Sequence, residues 1–224
     1  MRTGSPRVIA GQETPRVQRV LLYTYVDRST VAAMGTKGTV TRTRLVDGAR
    51  ELLEAHGYPG TGLNQVLAAS GAPRGSLYFH FPGGKDELVA AALDSAGAEI
   101  GALIRDLSEE APDTVSLVQA MIDLFTARLE ESAFTKGCPL AATALDVAAT
   151  NDLVHTVCQK VYSSWHARLA DRLVAEGRDP EDADADAWSA LSLIEGALLL
   201  SRANRSRKPL DRARNSVTRL LAGE

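Results

Sequence analysis

The sequence predicts an all-α fold, a head of three short helices followed by a larger helical body. Three observations point there. Apolar residues recur at helical spacing in segment after segment from Thr41 to Leu221, with no convincing strand. The strongest chain breakers fall between those segments, at Gly57, Gly71, Gly83-Gly84, Pro139, Pro180 and Pro209. Hydrophobic residues make up 45% of the 224, enough for a core, and no run of about eighteen apolar residues exists to span a membrane.

The first helix starts at Thr41, with Leu45, Ala49, Leu52, Leu53 and His56 along one stripe. Gly57 closes it and Tyr58-Pro59-Gly60 turns the chain. Thr61 caps the second helix, on which Leu63, Val66 and Leu67 fall at helical spacing. Gly71 stands where a helix must stop and the backbone reverse, a place that favours φ > 0. Pro73 follows as a good first helical residue. On the third helix Leu77, Phe79 and Phe81 read as the inner apolar side, and Arg74, Ser76, Tyr78 and His80 as the outer. After Gly83-Gly84 a long helix begins near Lys85 and runs through Leu107. The body continues with helices at 113–131, 140–149, 151–176 and 181–203, and a last one from Pro209 to Leu221. A kink at Lys136-Gly137-Cys138-Pro139 separates the first two of these.

A short helix set behind a tight turn, with a polar, aromatic-tipped face, is built to enter a DNA groove. Charge agrees with that use. Residues 36–85 carry a net of +3, whereas 86–201 carry seven Lys/Arg against twenty-one Asp/Glu, a net of −14. One end of the molecule is drawn to phosphate and the rest is repelled. A packaging protein that binds DNA without regard to sequence would be basic throughout, and this chain is not. The two cysteines, Cys138 and Cys158, suit a reducing, cytoplasmic compartment and read as small buried hydrophobes.

Residues 1–35 lack sustained periodicity and read as a disordered extension, or as upstream DNA translated ahead of a start at Met34. A leader peptide would export a DNA-reading module and is set aside. The codons for Val26-Asp27-Arg28-Ser29-Thr30 can spell GTAGACCGGTCTAC, a perfect inverted repeat of the kind a two-fold symmetric regulator needs.

The span from Thr41 to Leu107 resembles the TetR family of bacterial transcriptional regulators. The residues that carry the likeness are Leu52-Leu53, Gly57-Tyr58, Val66, Ser70-Gly71, Gly75-Ser76-Leu77-Tyr78-Phe79-His80-Phe81 and Lys85-Asp86-Glu87-Leu88. Asn64-Gln65-Val66-Leu67, Ala72-Pro73-Arg74-Gly75 and Gly137-Cys138-Pro139-Leu140-Ala141-Ala142 are similar to its LmrA/YxaF-like branch. The resemblance implies a homodimer with a helix-turn-helix DNA-binding domain at 39–99, the motif itself at about 62–81. It implies a helical ligand-binding and dimerisation domain at 100–224, where a small hydrophobic effector releases the protein from a palindromic, double-stranded operator.

On that reading Arg44, Thr61 and Lys85 meet phosphate, and Tyr78 and His80 contact the backbone. Pro73, Arg74, Gly75 and Ser76 open the third helix, where Arg74 alone can pair bidentately with guanine. Phe125, Phe134, Cys138, Leu145, Trp165, His166 and Trp188 are the candidate lining of an effector cavity. Trp188, Leu191, Glu195, Gly196, Leu198 and Leu199 are the candidate dimer face. The rival reading is a helical-bundle enzyme or metal-binding protein with an appended DNA-binding head. Asp152 and His155 share a helix face, but no second acid–His pair accompanies them. Cys138 with His155 or His166 has no spacing that demands a nucleophile pair, and Gly60-Thr61-Gly62 lacks the third glycine of a nucleotide loop. No cofactor, metal or catalytic residue is expected.

Overall fold

A computed structural model of the chain describes residues 37–222. The extension at 1–35, the start at Met34 and the inverted repeat at 26–30 lie outside the described residues. Among those described there are nine α-helices and no strand. They are α1 (Lys37–His56), α2 (Leu63–Ser70), α3 (Arg74–His80), α4 (Lys85–Glu110), α5 (Thr114–Glu131), α6 (Pro139–Val147), α7 (Asp152–Ala175), α8 (Pro180–Asn204) and α9 (Lys208–Ala222).

The head is a small core closed by α1, α2, α3 and the start of α4. Leu45, Leu53, Val66, Leu77, Phe81 and Leu88 are all shielded from solvent there. Two features fix the turn between α2 and α3. Gly71 takes a left-handed φ of 60°, and its N–H closes onto Leu67 O at 3.0 Å. Ser70 Oγ then accepts from the Ala72 N–H at 3.2 Å, so this serine stitches the turn from inside. Pro73 does not open α3 as N1; it is the residue before it, extended at φ −61° and ψ 142°. A proline suits that place equally, since its fixed φ is compatible and no N–H is needed.

Helix α4 runs 26 residues without a break, so the expected boundary at 99–100 falls inside one rigid element that belongs to both head and body. Its start has Gly84 at φ 74° and the Gly83 N–H donating to Glu87 Oε2 at 2.8 Å. In the body, Asp113, Asn151 and Asp179 cap α5, α7 and α8 with side-chain oxygens, each satisfying a free N–H of the first turn. Helix α7 lies against α4, α6 and α8, and α9 closes the bundle on α5 and α8. Where α4 and α7 cross, the backbones approach so closely that a Cβ on Gly97 would sit 2.5 Å from Val161 Cγ2. Trp165 Nε1–H donates to Gly97 O at 3.2 Å in the same crossing.

Candidate nucleic-acid interface

The outer face of the head is set by what α3 cannot bury. Leu77 and Phe81, four residues apart, turn inward. Arg74, Gly75, Tyr78 and Phe79 stay outside, with Tyr78 58% and Phe79 80% exposed. Phe79 is therefore a correction: the expected inner side of α3 holds only Leu77 and Phe81. Its ring meets His80 edge-on, with centroids 5.0 Å apart. At 80% exposure the Phe79 ring adds little to the core of the head.

Arg74 Nη2 donates to Asn64 Oδ1 at 2.8 Å, so the guanidinium is steadied from α2 with other N–H groups still available. A Cβ on Gly75 would meet nothing within 4 Å, which keeps the first turn of α3 low and open to close approach. Ser76 is half-buried and its N–H closes onto Pro73 O at 2.9 Å. Arg44 is exposed and lies along the Gly71 turn, its Nη2 2.7 Å from where a Cβ on Gly71 would stand. Arg42 spreads over the Phe81 ring at 5.1 Å. No Asp or Glu occurs from Thr61 to Phe81, so nothing on this face repels phosphate.

Two of the expected phosphate contacts are occupied otherwise. Thr61 is 1% exposed and its hydroxyl donates to Gly57 O at 2.7 Å. Gly62, not Thr61, caps α2, and its N–H donates to Gln65 Oε1 at 2.9 Å. Lys85 Nζ donates to Tyr58 O at 2.6 Å and stands 4.0 Å over the Tyr58 ring. Burial lowers its pKa, with Asp86 and Asp146 opposing. Its ammonium braces the α1–α2 turn and adds positive charge at the head.

The head is fastened to the body at the last turn of α1. Gly137 N–H donates to Glu54 O at 3.1 Å and Arg202 Nη2 to Ala55 O at 2.6 Å. Tyr58 N–H donates to Asp146 Oδ2 at 3.0 Å. Arg50 and Arg128 both pair with Glu99. Nothing local in the sequence marks these ties, since Arg202 and Ala55 lie 147 positions apart.

The seven effector candidates differ widely in exposure. Phe125, Phe134 and Cys138 are partly buried against the core. Trp165 is buried, with its N–H bonded to Gly97 O. His166 and Trp188 stack at 4.3 Å, with His166 Nε2 also 3.2 Å from Asp184 Oδ1, and Trp188 is 43% exposed. Leu145 is 82% exposed and lines no interior space. A surface groove of 460 Å³ between α4 and α7 is lined by Arg105, Arg168, Arg172 and neighbours, and by none of the seven. Among the dimer candidates, Leu191 and Leu198 are buried within the chain, and Glu195 reaches inward to Tyr162 Oη at 3.3 Å. Trp188, Gly196 and Leu199 lie on the outward side of α8: Leu199 is 61% exposed and a Cβ on Gly196 would meet nothing within 4 Å.

Inside, Cys138, Tyr162 and Glu195 form one polar cluster. Burial raises the Cys138 thiol, reinforced by Glu195, and raises the Tyr162 hydroxyl. Burial also raises Glu195, against the hydrogen bonds it receives from Cys138 and Tyr162. Both cysteines are free.

Comparison with known proteins agrees with this geometry. Residues 45–92 match the model for bacterial regulatory proteins of the tetR family, and 114–216 match the C-terminal domain of LmrA/YxaF-like transcriptional regulators. The chain is 36% identical over 169 residues to the HTH-type transcriptional regulator YxaF of Bacillus subtilis, covering 75% of this chain and 88% of that one. It is 29% identical to LmrA of the same organism, over 80% of this chain and 96% of the relative. A TetR transcriptional regulator from Chloroflexus aurantiacus superposes with a TM-score of 0.72 at 28% identity, over 84% of this chain and 97% of that chain. Head, body and match together place the chain in the TetR family of DNA-binding bacterial transcriptional regulators, within its LmrA/YxaF-like group, and not among enzymes.

Proposed function

We propose that the protein is a homodimeric repressor that a small hydrophobic effector releases from a palindromic operator. The observation that carries this is the exposed, acid-free face of α3, with Arg74, Gly75, Tyr78 and Phe79 free of core duties. Arg74 reads guanine in the major groove, Tyr78, Phe79 and His80 lie along the sugar–phosphate wall, and Arg44 and Lys85 supply charge. Dimerisation uses the outward stripe of α8, where Trp188, Gly196 and Leu199 leave an apolar strip that a second copy covers. Two heads then face half-sites about 34–36 Å apart. The effector acts by population shift: it favours a body arrangement that holds the heads at the wrong separation. The repressor acts on its own promoter and on a neighbouring transporter or modifying-enzyme gene.

The test is fluorescence anisotropy with a duplex containing GTAGACCGGTCTAC against a scrambled duplex of equal composition, at moderate salt, with sedimentation in parallel. A dimer that prefers the palindrome supports the reading. A monomer with no preference between the two ends it.

A further inference from the structure

We propose that Glu195 is the polar anchor of the effector site, that the effector carries a protonated nitrogen, and that the loop at 136–138 passes its arrival to the DNA-reading head. This rests on the reading of the protein as an effector-released regulator. Glu195 stands midway along α8 and receives Tyr162 Oη at 3.3 Å on Oε1. Its Oε2 is shielded from solvent and has no hydrogen-bond partner. The thiol of Cys138 completes the cluster. An enclosed carboxyl oxygen without a donor is one strong hydrogen bond short. A protonated nitrogen supplies that bond together with the charge that makes a buried carboxylate tolerable. A neutral hydroxyl supplies only the bond, and an anion is repelled.

The same cluster abuts the head. Cys138 follows Gly137, whose N–H holds Glu54 O at 3.1 Å, while Lys136 Nζ stands 3.8 Å from Glu54 Oε2. Two turns beyond Glu195 on α8, Arg202 holds Ala55 O at 2.6 Å, and its Nη1 runs 3.4 Å from where a Cβ on Gly137 would be. Both holds on the last turn of α1 therefore lead back to Glu195, one through the peptide bond to Cys138 and one along α8. A ligand nitrogen that draws Glu195 from Cys138 and Tyr162 moves the loop off Glu54. Because α1 carries α2 and α3, the reading helix moves with it.

The experiment compares three probes of one shape, naphthylmethylamine, naphthylmethanol and naphthoate, as releasers of the wild-type protein from an operator duplex. The amine is expected to act at concentrations about tenfold or more below the alcohol, and the acid to be weakest. In Glu195→Gln the ratio of amine to alcohol potency falls to about one. Amide exchange on the wild-type protein, which needs no variant to fold, should show faster exchange at Gly137 and Tyr58 with the amine than with the alcohol. Equal potency of the three probes, or no release by any, overturns the proposal while operator binding stands. Release without a change in exchange at Gly137 overturns the relay. Absence of operator preference in the untreated protein is a failure of the underlying reading instead.

Discussion

Arg74 has one partner in the free protein, Asn64, and on the proposed reading a second in the groove. Its bond to Asn64 at 2.8 Å fixes the stem between α2 and α3 and leaves the fork unfilled. Arg74→Ala is expected to cost about 1–3 kcal/mol of operator affinity and to relax the base preference at one position of each half-site. Anisotropy against single-base operator variants measures it; an unchanged preference profile refutes groove reading by this residue. Lys85→Ala removes a brace and a charge together. It should lower stability by about 1–2 kcal/mol and, because the ammonium is held on Tyr58 O, reduce the slope of log affinity against log salt by well under the roughly one unit of a direct phosphate contact. Calorimetry and a salt titration separate the two effects. The exposure of Arg74 was legible, because a charged side chain on the first turn of a short helix stays in solvent. Thr61 was misread because a hydroxyl before a helix looks like a cap, and only the fold shows it bonded back to Gly57. Phe79 was hidden by reading alternation into a helix. At about 100° per residue it lies roughly 200° from Leu77 and must face outward.

At the scale of elements, the α4–α7 crossing is the place where one atom matters most. Gly97→Ala puts a methyl 2.5 Å from Val161 Cγ2, and the two helices must part or the valine must shift. A loss of about 1–3 kcal/mol in urea unfolding is expected, and Gly97→Ala, Val161→Ala together should recover part of it. The tie between α1 and α4 has a pH signature. Burial pushes the Glu99 carboxyl up, but Arg50 and Arg128 outweigh it and hold the carboxyl below its ordinary 4.5. A folded value below the unfolded one means the stabilisation is present above that ordinary value and is lost as pH falls through the lowered one. Glu99→Gln should therefore lower the melting temperature at neutral pH and flatten its decline between about pH 5 and 3. Glu195 has the opposite sign: raised by burial, it contributes below 4.5 and loses that contribution as pH rises through its folded value. The helices themselves were legible from period and breakers. Their partners were not, because a 3.6-residue stripe says that a face is covered and leaves open by what.

For the whole molecule the decisive quantity is the number of chains that assemble. Gly196→Arg places a long side chain where the single chain has open space, so the chain should still fold cooperatively with its helix content intact. If α8 carries the dimer face as proposed, the same substitution obstructs the second copy. Sedimentation should show a monomer, and operator affinity should fall by more than about tenfold as one head is lost. A dimer of normal operator affinity would move the interface elsewhere. The sequence by itself determined the helical fold, the turn at Gly71, the basic head on an acidic body and the family, because each rests on local spacing or on a contiguous motif. Only the tertiary structure decided which face of α8 looks outward, that Glu195 turns in toward Tyr162, and that Gly137 and Arg202 hold the end of α1. Those facts depend on contacts between residues far apart in the chain, and a hydrogen bond between backbone and a distant side chain leaves no periodicity to read.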